Sequence, residues 1–276
     1  MTLSDRNLCL KTGIFATFVF LVLTAVSVFF IIPAVPAASA GATHRPSGIL
    51  AAFIGRFTVP GPYAPIAAIG GSVFYAFIAA VLIYRYFEKT QSPEILFIAF
   101  FVFSFAVEGM RVVVPISRII VLPGFYLLMA SRLLLFGRYF GIFSLFAASV
   151  CAAGFEVQKQ RNILFVTALA TLVIALGVPV NTLTWDSTFS MISGYTHMFR
   201  MVESGVFIIT IASFLISAYS RGSGEFVFIG LGIFLAFAGR LLLQGADSWP
   251  GLAGLPVLAA GTWIICVRLH RVYLWM

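Results

Sequence analysis

The chain has 276 residues, 61% of them hydrophobic and 9% charged, with a mean hydropathy of +1.08 and a formal charge of +8. Soluble domains carry about 25% charged residues, so this composition excludes a soluble globular fold and predicts an integral membrane protein throughout. The positive charge does not indicate nucleic-acid binding: the cations punctuate apolar runs instead of clustering on a polar face among stacking aromatics.

A transmembrane helix needs about 20 mostly apolar residues. In chain order the apolar runs predict spans at about 13–32, 64–87, 94–120, 125–154, 162–180, 200–219, 226–243 and 252–267. Residues 33–63 form a long outer loop rich in Ala, Gly and Pro, in which Ile49–Val59 reads as a short interfacial helix around Arg56. Arg6 and Lys11, the first apolar run and then Pro36–Ala40 also resemble a signal peptide with an Ala-x-Ala cleavage site. The run is longer than the usual 7–15 residues, which favours an uncleaved anchor; cleavage would leave seven spans. The expected fold is an all-α polytopic bundle of eight helices, residues 1–276 forming a single membrane domain.

The stretch from Glu94 to Phe155 holds either two long helices or three ordinary ones, and charge decides between them. Two helices put both termini and nine cations (Arg6, Lys11, Arg85, Lys89, Lys159, Arg161, Arg221, Arg268 and Arg271) on the cytoplasmic side. Arg45 and Arg56 then lie in the outer loop. Three helices would send the basic C-terminal half outside, against the positive-inside bias. Val121-Leu-Pro-Gly124 is the turn between the two long helices, which should tilt, kink at Pro115 or project outward. Gly137, Gly141, Ser144, Ala148 and Ala152 recur at helical spacing and predict a close packing face on the fourth span. The setting expected for such a chain is a bacterial cytoplasmic membrane.

This topology carries Arg111, Arg118, Arg132, Arg138, Arg200 and Arg240 to the outer half of the bundle, with Glu108, Asp186, His197, Glu203 and Asp247. An ionised side chain in hydrocarbon costs roughly 2.5–3.5 kcal/mol, so each must face protein, water or a headgroup. Glu108 lies fifteen residues before the turn at Pro123 and Arg138 fifteen after it, which places them at one depth on antiparallel helices as a candidate ion pair. Arg200 has His197 and Glu203 three residues to either side, a spacing that makes helical neighbours. Arg118, Arg132 and Arg200 lie near enough to the interface to snorkel to headgroups. Four acids against six arginines leave two positive charges in excess, and arginine grips phosphate and carboxylate bidentately.

The leading expectation is therefore a non-enzymatic protein that binds or moves an anionic ligand, a lipid or a small anion, through Arg111, Arg132, Arg138, Arg200 and Arg240 with Glu108. A second is a membrane-embedded transferase or hydrolase using His197 with Glu203 as an acid–base pair. A third is a structural or sensor subunit of a membrane complex, with another membrane protein as its partner. Cys9, Cys151 and Cys266 are far apart, and no HExxH, nucleophile elbow or carboxylate-rich metal motif occurs, so neither cofactor nor metal is expected. Trp185, Trp249 and Trp275 fall at span boundaries, whereas Trp263 reads as packing. Reporter fusions should place the connection at Gln158–Gln160 in the cytoplasm and the segment around Asp186 outside; the opposite result would scatter the arginines between two faces.

Overall fold

The computed structural model describes residues 3–33, 60–88, 90, 92–154 and 160–274. The expected interfacial helix at Ile49–Val59, the Pro36–Ala40 segment, His44, Arg45, Arg56, Lys89, Lys159 and Trp275 lie outside the described residues. The described chain runs α1 (Leu3–Ile31), α2 (Tyr63–Phe87), α3 (Pro93–Ser104), a 3-10 segment (Phe105–Val112), α4 (Val113–Ile119), α5 (Gly124–Ala152) and α6 (Gln160–Gly177). A two-stranded hairpin follows, β1 (Val180–Trp185) with β2 (Met191–Ser193), then α7 (Thr196–Arg221), α8 (Glu225–Gln244), a second 3-10 segment (Trp249–Ala253) and α9 (Gly254–Leu274). Eight helices are long and apolar enough to cross a membrane, with Pro93–Ile119 counting as one crossing. The chain is an all-α, multi-pass membrane bundle, because lipid offers the backbone no partner outside its own helix.

Punctuation follows local chemistry. Ser92 is extended and Pro93 opens α3, where its missing N–H costs nothing. Gly222, with φ +61°, ends α7: its own N–H donates to Tyr219 and the Ser223 N–H reaches back to Ala218, closing the helix in a Schellman arrangement.

The third crossing is the central one, packed against α1, α2 and α5, with Ile95 through Ala99, Phe101 and Val102 buried. Its distortion is not a bend at Pro115 alone. The chain winds as a 3-10 helix over Phe105–Val112 and returns to α-helix for Val113–Ile119, which contains Pro115. Proline cannot donate to the carbonyl four residues back, and its ring crowds that carbonyl. Tighter winding upstream gives the Val113 N–H the Met110 carbonyl, three residues back, as its acceptor. With three residues per turn, Phe105, Glu108 and Arg111 come to lie on one line.

Small residues set the helix spacings. A Cβ on Gly137 would come 2.8 Å from Val107, and one on Gly141 2.4 Å from the Ser104 hydroxyl, so the small face of α5 seats the third crossing. The closest pair is α8 with α9: a Cβ on Gly239 would lie 2.5 Å from the Leu258 amide nitrogen, and one on Gly261 2.5 Å from that of Ala236. Trp263 departs from expectation; it is 58% exposed on α9.

One end of the bundle is stitched by polar caps. Buried Arg6 donates to the carbonyls of Phe87 (2.7 Å), Glu88 (3.2 Å) and Thr90, terminating α2. The Tyr273 hydroxyl donates to Glu94 at 2.6 Å, Gln160 to the Pro93 carbonyl at 3.1 Å, and Arg268 pairs with Glu225 at 3.1 Å. The helices alternate in direction, so the third-to-fourth turn and the hairpin sit at the other end.

Gly239→Ala should lower stability by about 1–3 kcal/mol, because backbone atoms cannot rotate away from the new methyl. Gly205→Ala, whose Cβ meets nothing within 4 Å, should be neutral or gain up to about 1 kcal/mol. Thermal unfolding of the two variants in one detergent checks the contrast.

Candidate functional site

Glu108 is the centre of a buried polar network. It is 3% exposed, and Arg138 on α5 meets it in a fork: Nε donates to Oε1 and Nη2 to Oε2, each at 2.8 Å. Glu108 and Arg138, equidistant from Pro123, thus form the expected ion pair. Arg111, aligned with Glu108 by the 3-10 winding, approaches Oε2 at 3.4 Å, and Gln244 of α8 donates to Oε1 at 3.1 Å. Planar two-point pairing is the strongest form of this contact, and in a dry interior both partners need it.

A second pair lies beside the first. Arg240 on α8, 3% exposed, donates to Glu203 of α7 at 2.7 Å and to the Arg138 carbonyl at 3.1 Å. The two pairs join the third crossing, α5, α7 and α8 in one layer.

The hairpin between α6 and α7 closes over this layer. Arg111, 2% exposed, aims Nε at the Thr188 carbonyl (2.8 Å), and its Nη2 donates to the same oxygen. Arg138 reaches the Ser190 hydroxyl at 3.3 Å. Asp186 shapes the tip: its Oδ1 accepts from the Thr188 amide (3.0 Å), the Thr188 hydroxyl (2.7 Å) and the Ser190 amide (2.9 Å). Phe189, at φ +59°, packs on the cluster of Ile31, Ile66, Ile69 and Val112.

Arg118 and Arg132 are placed differently from expectation. Arg118 stacks on the Trp185 ring at 5.0 Å, and Arg132 donates to the carbonyls of Ala175 (2.6 Å) and Leu176 at the end of α6. Both therefore have protein partners where headgroup contacts were expected; the helix C-terminus is a natural cation site. Glu203 faces Arg240 instead of Arg200, which is exposed in the second turn of α7. His197 is exposed in the first turn, and six residues on an α-helix turn it roughly 120° away from Glu203. Asp247 is half-buried beyond α8, its carbonyl accepting from the Gly61 amide at 3.0 Å.

A small cleft lies beside Arg111, between the third crossing, α5 and the hairpin. Met110, Val113, Leu127, Leu134, Phe189 and Met191 give it apolar walls, with Ser131 and Arg111 as polar groups. Its enclosed part holds about one water molecule. Among the described residues no group of three or more His, Cys, Asp or Glu side chains is arranged to hold a metal.

Sequence reasoning missed Gln244, Thr188 and Ser190. Gln244 carried a signal, as the polar residue one helical turn after Arg240 in a leucine run. Thr188 carried none, since it contributes to Arg111 through its backbone, and Ser190 is one of several hydroxyl residues in its loop.

Glu108→Gln should cost about 3–5 kcal/mol, because it leaves buried Arg111 and partly buried Arg138 without their shared counter-charge. Glu108→Gln with Arg138→Met should recover part of that loss. Chemical or thermal unfolding of the single and double variants measures the difference.

No family model, no curated protein and no solved structure matches this chain.

Proposed function

We propose that this chain is a non-enzymatic membrane protein that binds an anionic ligand, bearing phosphate or carboxylate, at the arginine layer beneath the hairpin. The observation that carries the reading is charge balance in a dry place. Arg111, Arg138 and Arg240 face two carboxylates, Glu108 and Glu203, leaving one positive charge in excess within the layer. Asp186 offsets it from the exposed hairpin, with its Oδ1 already committed to the turn. Arg111 is the guanidinium with anion-binding capacity to spare: two of its nitrogens rest on a neutral carbonyl, which a charged oxygen outcompetes.

The positive-inside distribution supports cytoplasmic termini, and hence a site opening to the outer leaflet of a bacterial cytoplasmic membrane. The acid–base reading has no geometry behind it, because Glu203 is held by Arg240 and His197 points elsewhere on the helix. The second reading is a purely structural layer in a subunit of a membrane complex. It is favoured by one specific observation, that each deep guanidinium already has a protein partner.

Native mass spectrometry of the detergent-purified protein with phosphatidylglycerol, and separately with inorganic phosphate, distinguishes the readings. Binding that falls at least about tenfold in Arg111→Lys, which keeps the charge and loses the planar fork, supports the site. Retention of lipid by the variant at the wild-type level assigns the layer to structure alone.

A further inference from the structure

Resting on the anion site proposed above, we infer that the hairpin tip is its built-in cover, with the Thr188 carbonyl occupying on Arg111 the place of the acidic head of a single-chain amphiphile. Three observations meet at this point. The contact is a substitute for an anion: Arg111 directs Nε and Nη2 at one neutral oxygen, the two-pronged grip that a carboxylate or phosphate monoester would take. The tip carries backbone strain, since Phe189 holds a left-handed φ of +59° that a bulky side chain rarely adopts.

The third observation concerns the chain of the ligand. The cleft that reaches Arg111 is walled by Met110, Val113, Leu127, Leu134, Phe189 and Met191. Phe189 and Met191 belong to the hairpin itself, so lifting the tip both frees the guanidinium and widens the apolar cleft. The enclosed part of the cleft has room for about one water molecule, so a ligand enters only as the cover moves. Head and chain then bind where the tip had been: the acidic head on Arg111, the alkyl chain along the walls left by α5 and the third crossing. The elements joined by the hairpin suit such movement, because α6 and α7 are, with α1, the helices with the fewest buried residues in their membrane windows.

The test uses the full chain in dodecyl maltoside, with dodecyl phosphate as probe and inorganic phosphate as the chainless comparison. Hydrogen exchange of the hairpin amides, residues 180–193, is followed together with probe affinity. Dodecyl phosphate should raise exchange at the hairpin while leaving α3 and α8 unchanged, and inorganic phosphate should bind far more weakly. Phe189→Ala and Thr188→Val each loosen the tip while leaving its charge and the arginines unchanged. Both should tighten dodecyl phosphate binding by roughly tenfold, because a closed cover lowers apparent affinity by the fraction of molecules open. Binding with no change in hairpin exchange, or weaker binding by both loosened variants, overturns the cover and leaves the anion site standing. Equal affinity for inorganic phosphate overturns the amphiphile. No binding of either probe overturns the cover and the anion site together.

Discussion

A carboxylate placed in the interior of a lipid-facing bundle must be matched on every side, and Glu108 sets this condition for the structure. It accepts from Arg138 twice, from Arg111 and from Gln244, with almost no exposure of its own. The match requires the third crossing, α5 and α8 to keep their register, since a shift of one residue along any of them carries a donor about 1.5 Å away. The pairing is therefore a constraint on geometry more than a source of net stability; desolvation offsets much of what the charges gain.

Helix packing supplies the rigidity that this constraint needs. The hydrophobic effect does little between helices in lipid, so close approach of small residues does the work instead. Gly137 and Gly141 bring α5 onto the third crossing next to Arg138, and Gly239 brings α9 against α8 next to Arg240. The charged layer thus lies where backbones are nearest to each other. Around this core α6, the hairpin and α7 form a looser edge, docked by Arg111 on Thr188, Arg118 on Trp185 and Arg132 on the end of α6. The proposed ligand binding rests on the positively charged layer, and the proposed cover on this looser edge.

The 3-10 segment connects local sequence with this layer. Pro115 disfavours a regular α-helix upstream, and Gly109 allows the tightened backbone to press on α1, where an added Cβ would lie 2.5 Å from the Thr24 hydroxyl. The winding then turns Glu108 and Arg111 to one line, so one residue pair serves both the α5 contact and the hairpin contact.

Much was legible from the residues alone. Composition identified lipid as the solvent, apolar runs located eight crossings, and counting from Pro123 put Glu108 and Arg138 at one depth, because helical rise is fixed along the axis. Azimuth and lateral neighbours were not legible. Glu203 sits three residues from Arg200 yet serves Arg240, and Arg132 found a helix end instead of a headgroup. The hairpin's hold on Arg111 is a backbone carbonyl, a group every residue carries, so no side chain announces it. Sequence determined depth, which is a sum along one helix; only the packed bundle decided which charges meet, because that depends on how each helix is turned toward its neighbours.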